Sequence, residues 1–130
     1  MLTARIHEDR PLLPITVGWK QNVQDLIVLV DTGFTGELKV TPQFAKELGI
    51  ETTDVRTINM ADGRSLACPL GLAYVSLEKV QKEVSVLIVE GMPVIGVRLL
   101  RELDYILKAD FPSNEFTLQK KNDISFEEEG

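Results

Sequence analysis

Leu26-Ile27-Val28-Leu29-Val30-Asp31-Thr32-Gly33-Phe34-Thr35-Gly36 is the stretch that decides how this chain reads. A continuous apolar run marks a strand buried on both faces, and this one ends in an acidic residue held by a small glycine-rich turn. Asp31 therefore stands at the edge of the core, where burial and neighbouring charge can shift its pKa. Two readings stay open on this segment. One is a core strand closing in an Asx turn, since Asp and Gly are common turn residues. The other is a carboxylate placed for chemistry, and the flanking segments must decide.

Upstream, Leu12 to Trp19 reads as a strand weakened by Pro14, and Lys20-Gln21-Asn22 as the turn into Val23 to Val30, which together make a hairpin. Downstream, Glu37 to Val40 alternates as a short strand. Thr41-Pro42 opens a helix with an N-cap hydroxyl and a proline at the first helical position, and Gly49 ends it. Two short strands between Val55 and Leu66 flank Ala61-Asp62-Gly63, and an Asp-Gly pair is a strong signal for a tight hairpin. Asn59, Asp62, Arg64 and Ser65 leave this hairpin little apolar side chain, so it is expected to project from the body. Leu70 to Leu77 and Val84 to Val89 form another strand pair around the charged turn Glu78 to Lys82. Leu99, Leu100 and Leu103, set among Arg98, Arg101 and Glu102, give a two-turn amphipathic helix from Val97 to Leu103. Tyr105 to Leu107 and Glu115 to Leu118 are late strands around Pro112-Ser113-Asn114. An internal echo links Asp31-Thr32-Gly33 to Val94-Ile95-Gly96: each follows an apolar strand, and each glycine permits close backbone approach behind a site.

The 130 residues make one domain, able to bury a core without staples. A hydrophobic fraction of 44% with 26% charged residues is the composition of a soluble globular chain. A net charge of −6 and a pI near 4.8 argue against nucleic acid, which needs a basic surface. No apolar run approaches the roughly 20 residues of a membrane-spanning helix. His7, Glu8, Asp9 and Arg10 come too early for the apolar core of a signal peptide, so a cytoplasmic protein without membrane partners is expected. Cys68 is the only cysteine, which excludes an internal disulfide or a thiolate metal cluster and reads as a small buried hydrophobe. His7 is the only histidine and is read as exposed and idle. Serine or cysteine triads would rest on that one imidazole, so hydrolytic chemistry must come from carboxylates. Neither a metal nor another cofactor is expected. The domain is expected to span residues 1–119, with 120–130 as an acidic, flexible tail too poor in apolar residues for a core.

With these motifs in order, the chain resembles the retropepsin-like aspartic proteases, the single-domain, homodimeric type found in retroviruses and in cellular relatives. Asp31-Thr32-Gly33 resembles the family's active-site triplet, Ala61-Asp62-Gly63 its flap tip, and Val94-Ile95-Gly96 with Val97-Arg98-Leu99-Leu100 the segment and helix that support the triplet from behind. The resemblance covers residues 12 to 118. It implies an all-β closed barrel with one or two short helices and an aspartic endopeptidase that hydrolyses peptide bonds as a homodimer. The length agrees, because such an enzyme needs two carboxylates sharing one proton and this chain has one Asp-Thr-Gly. In the resemblance Asp31 is catalytic, and Thr32, Gly33, Phe34 and Thr35 form the active-site loop. Thr32 ties the two loops across the dimer axis. Met60, Ala61, Asp62 and Gly63 close over an extended peptide substrate, and Ile95 and Gly96 support the loop.

Some positions depart from the retroviral pattern. Phe34 is bulkier than the small residue expected after the triplet, which narrows or reshapes the substrate pocket. Arg98 lies one position late and Thr35 replaces an acid, so the familiar buried ion pair is absent or rebuilt with Glu37. The acidic tail after Leu118 would repel its own copy in a dimer built from both termini. Two other functions fit parts of the sequence. A non-catalytic dimeric module could keep the fold to hold extended peptides. An aspartate-nucleophile phosphotransferase would also place Asp31 after an apolar strand with Thr35 four residues on, but Gly33 occupies the place of its second acid and the chain is too strand-rich for an α/β fold.

Overall fold

Period-two alternation of apolar side chains builds most of this molecule, and short helices fill the gaps. The structure is a computed structural model and describes residues 2–8, 10–59 and 61–121. Along the chain run β1 (Leu2–His7), β2 (Arg10–Trp19), β3 (Asn22–Asp31), β4 (Leu38–Val40) and α1 (Pro42–Leu48). Then come β5 (Asp54–Asn59), β6 (Ser65–Leu77), β7 (Val80–Ile88), β8 (Val94–Gly96), α2 (Val97–Glu102), β9 (Tyr105–Asp110) and β10 (Glu115–Lys120). The sheet order is β5-β6-β7-β4-β8-β3-β2-β1-β10-β9, and β2 also pairs with β6. That second pairing, Thr16 to Ser76 through Gly18 to Tyr74, closes β2, β3, β8, β4, β7 and β6 into a six-stranded barrel. The expected all-β closed barrel with two short helices is what the chain forms.

The barrel interior follows from the alternation. Leu13, Ile15 and Val17 on β2 face inward with Val28 and Val30 on β3, Leu38 and Val40 on β4, and Val84, Val86 and Ile88 on β7. Leu99 and Leu103 close one end. Each such side chain contributes about 1.5–3 kcal/mol through burial, so the strands that carry the site rest on the best-packed part of the molecule. Helix α1 forms as its flanks demand. Thr41 Oγ1 accepts from the Phe44 N–H at 3.1 Å, Pro42 occupies the first turn, and Gly49 ends the helix in the left-handed region at φ 82°.

Four features differ from the sequence expectation. Leu2–His7 is a strand: β1 lies between β2 and β10, with Ile6 opposite Pro11 and Leu2 opposite Leu118. The flap strand and Leu70–Leu77 are one strand of 13 residues, β6, which pairs with β5 up to Leu70 and with β7 from Leu70 onward. Pro69, which lacks an N–H, sits where the partner changes. The turn after β6 is only Glu78-Lys79, with Glu78 at φ 54°, so the ladder resumes at Val80 opposite Leu77. At the other end, β10 continues to Lys120, and the Lys121 N–H donates to the Asp104 carbonyl at 2.9 Å. The rest of the acidic tail, the Met60 flap position and the His7 side chain lie outside what the structure describes.

Candidate active site

The site grows from the end of β3. Val28 and Val30 face the barrel interior and anchor the strand. β8 runs parallel beside it, with Leu29 opposite Val94, Val30 opposite Ile95 and Asp31 opposite Gly96. The sequence echo is therefore a physical neighbourhood, in which the two apolar runs lie side by side and end level. The loop after Asp31 is laced to this pair through backbone bonds. The Gly96 N–H donates to the Glu37 carbonyl at 3.1 Å and the Val97 N–H to the Phe34 carbonyl at 3.2 Å. The loop crosses Gly96 so closely that a β-carbon there would collide with the carbonyl oxygens of Phe34 and Gly36. Ile95, fully buried, holds the same strand in the core.

Asp31 itself is half-buried, while Thr32 and Gly33 beside it are exposed. Its Oδ1 accepts from the Gly33 N–H at 2.8 Å, and its carbonyl accepts from the Phe34 N–H at 3.1 Å. The carboxylate is thus fixed in an Asx turn and also presented to solvent, so the two readings of this turn are compatible. Its Oδ2 has no protein hydrogen-bond partner among the described residues and remains available to a ligand or to another carboxyl.

A cleft of about 760 Å³ begins at Gly33, Phe34 and Thr35, a volume in the range of ligand-binding pockets. Ile58, Leu66, Cys68 and Pro69 from β5 and β6 wall one side, and Leu87 and Ile88 from β7, with Val89 just after it, another. Phe34, Arg56 and Leu87 also line a second, small cavity beside it, with Glu37 and Arg98. The bulk of Phe34 therefore forms a partition between the two. The sequence reading missed Lys39 and Arg56, which line the large cleft together with Glu90. Lys39 was legible as a lone charge in an apolar strand, since period two puts it opposite the buried Leu38 and Val40.

The β5–β6 hairpin projects as expected. Residues 61 to 67 are all exposed, and Gly63 turns the tip at φ 87°, a conformation that favours glycine. Asp62 Oδ1 accepts from the Arg64 N–H at 3.0 Å, its Oδ2 pairs with Arg64 Nε at 2.6 Å, and Ser65 Oγ donates to Asn59 Oδ1 at 3.1 Å. The arm is stiffened by its own bonds. Ala61, Asp62 and Gly63 do not line the cleft, and neither does Asp31. The structure brings the loop residues Gly33 to Thr35 and the flap strands together, and leaves the flap tip and the carboxylate outside that space.

Behind the loop, the ion pair expected to be absent or rebuilt with Glu37 is absent: among the described residues Arg98 forms none with Glu37. Arg98 Nε pairs with Glu102 Oε1 at 3.2 Å, one helical turn away on α2, and Lys82 Nζ approaches Glu102 Oε2 at 3.4 Å. Glu37 Oε1 instead accepts from the Ser85 N–H at 3.0 Å. Burial, and then a hydrogen bond shared with Glu102, push the Glu37 carboxyl up from the usual range. The same hydrogen bond, with Lys82 and Arg98, pulls Glu102 down. Whenever the pair holds one proton, Glu37 is its favoured seat and Glu102 keeps the charge, where the two cations are. Cys68 is buried, as expected of a small hydrophobe.

Comparison with solved structures places this architecture. A retropepsin-like aspartic protease from Rickettsia conorii superposes with a TM-score of 0.60 at 18% identity, over 92% of this chain and 89% of that one. EIAV protease complexed with the inhibitor HBY-793 superposes with a TM-score of 0.59, also at 18% identity, over 74% of this chain and 89% of that one. No family model and no curated protein matches the sequence. The chain has the retropepsin-like fold.

Proposed function

We propose that this chain is an aspartic endopeptidase that works as a homodimer, with one Asp31 from each subunit. The observation that carries the reading is the seat of Asp31. It is a half-buried carboxylate at the end of a core strand, locked by the Gly33 N–H, backed by Gly96 and set beside a peptide-sized cleft. The retropepsin-like fold supports it, and the all-β barrel leaves no α/β scaffold for an aspartate-nucleophile phosphotransferase.

A single Asp-Thr-Gly per chain cannot supply both an acid and a base, so the second carboxyl comes from another copy. Two carboxylates about 3 Å apart cannot both ionise and hold one proton between them. The ionised Asp31 takes a proton from a bound water, whose oxygen attacks the scissile carbonyl carbon. The protonated Asp31 gives its proton to the carbonyl oxygen. The resulting gem-diol then collapses: one hydroxyl returns its proton to the carboxylate that gave one, the C–N bond breaks, and the proton taken from water passes to the leaving amine, which restores the one-proton pair. No covalent intermediate forms. The pair titrates as a unit, and the flap, with Met60 to Gly63, folds over the extended peptide and excludes water.

Among the described residues no helix is long and apolar enough to cross a membrane. The lone buried thiol supports action in a reducing compartment such as the cytoplasm. The deciding experiment is digestion of a carboxymethylated, unfolded protein. Fragments that appear with wild type and not with Asp31→Asn support the reading, while equal digestion by both sinks it. A crystal structure of the dimer would show the two Asp31 carboxylates facing each other across a twofold axis.

A further inference from the structure

We infer that Lys39, assisted by Arg56 from the flap side, makes the cleft a receptor for an acidic side chain of the bound peptide. This deepens the peptidase reading and rests on it. Lys39 stands on β4 between Leu87 of β7 and Val94 of β8, its neighbours in the two ladders. The buried Leu38 and Val40 force it to the cleft side of the strand. There it is half-buried, with its Nζ beside Gly91, 3.7 Å from where a β-carbon on that residue would lie. Neither Lys39 nor Arg56 has an ion-pair partner among the described residues, whose ion pairs join Lys20 to Glu51, Arg64 to Asp62, and Lys82 and Arg98 to Glu102.

The cleft walls are mostly apolar, and the charged groups in them are two cations and one carboxylate, Glu90. Glu90 is exposed and solvated, and it forms no ion pair with Lys39. An ammonium that has lost part of its hydration without gaining an anion is a costly arrangement, and an incoming carboxylate repairs it. The chain as a whole carries −6, so this local positive field runs against its own background. An acidic substrate is drawn by these two side chains and by nothing long-range. Because each subunit of a twofold dimer contributes the same Lys39, the preference appears on both sides of the scissile bond, at equal distances from it.

The test uses a library of N-acetylated, C-amidated peptides at pH 6, so that the only substrate carboxylates are side chains and these are ionised. Wild type is expected to cleave with about tenfold enrichment of Asp and Glu over Asn and Gln at one position and at its twofold mate, and the enrichment shrinks at high salt. Lys39→Arg keeps the preference. Lys39→Glu inverts it toward Lys and Arg. In parallel, fluorescent Glu and Gln versions of one peptide are titrated against Asp31→Asn protein, where binding is read without cleavage. Cleavage with no acidic enrichment overturns this inference and leaves the peptidase standing. Tighter binding of the Glu peptide with no cleavage by wild type supports the acidic receptor and sinks the peptidase. Equal binding of both peptides, or binding of neither, overturns it.

Discussion

Gly96 lies directly beneath Phe34: a β-carbon on Gly96 would come 2.9 Å from Phe34 Cδ2 and collide outright with the Phe34 carbonyl oxygen. The ring could rotate away, but the backbone oxygens of Phe34 and Gly36 cannot. Gly96→Val should therefore destabilise the fold by about 3 kcal/mol, as overpacking does, and lower the melting temperature by about 10 °C. An unchanged thermal melt would contradict the packing of the loop on β8.

Asp31→Asn should leave the fold nearly intact. The amide Oδ1 still accepts from the Gly33 N–H, so a stability change of no more than about 0.5 kcal/mol is expected. Peptidase activity should drop by about a thousandfold, because the shared proton and the base are gone. Initial rates on an unfolded protein, with a parallel melt, check both halves.

An intersubunit site also makes activity depend on association. Specific activity should fall on dilution below the dimer dissociation constant, and Asp31→Asn chains should poison wild type by forming hybrid sites. At about nine mutant chains to one, random pairing leaves about a tenth of the wild-type activity. Activity proportional to wild-type concentration throughout, indifferent to mutant chains, would rule out the shared site.

The Glu37 and Glu102 carboxyls make a prediction about pH. Glu37 is held up by burial and by Glu102, so its contribution is present at acid pH and is lost as the pH rises through its raised value. Glu102 is held down by the hydrogen bond with Glu37 and by Lys82 and Arg98, so its contribution is present at neutral pH and is lost as the pH falls through its lowered value. Glu37→Gln keeps an acceptor for the Ser85 N–H and a donor toward Glu102 but cannot ionise. It should raise the melting temperature at pH 7 by about 2 °C, or about 0.5 kcal/mol after allowing for solvent screening. Melts at pH 4 should show no difference. A gain at pH 4 that is missing at pH 7 would reverse the assignment of the proton.

Where the chemistry is local, the sequence was legible. Thr41, Pro42 and Gly49 bracket α1 as their capping preferences require, and Asp62-Gly63 turns the flap tip. The apolar run into Asp31 marked both the strand and the carboxylate, but not a strand buried on both faces: Val28 and Val30 are buried while Ile27 just before them is 60% exposed, because one face of β3 lies outside the barrel. What escaped depends on partners distant in the chain. β1 is a short strand with charges at its end, stabilised by pairing with β10 more than a hundred residues later. β6 looked like two strands because Pro69 interrupts the pattern, yet its missing N–H falls where one ladder gives way to the next. Arg98 took a neighbour on its own helix, Glu102, over the more distant Glu37. Lys39 and Arg56 meet in one cleft only because β4 and the flap strand flank it, and no periodicity records that.

The placement of β1 between β2 and β10 has a kinetic consequence. The first and last strands among the described residues, β1 and β10, pair with each other within one chain, so the described sheet closes without borrowing a strand from another copy. Folding is then expected to be first-order in protein. On the proposed intersubunit site, assembly of the Asp31 pair would be a separate, second-order encounter between folded chains. Under the proposed homodimeric peptidase, newly made copies would be folded but latent until enough had accumulated to pair.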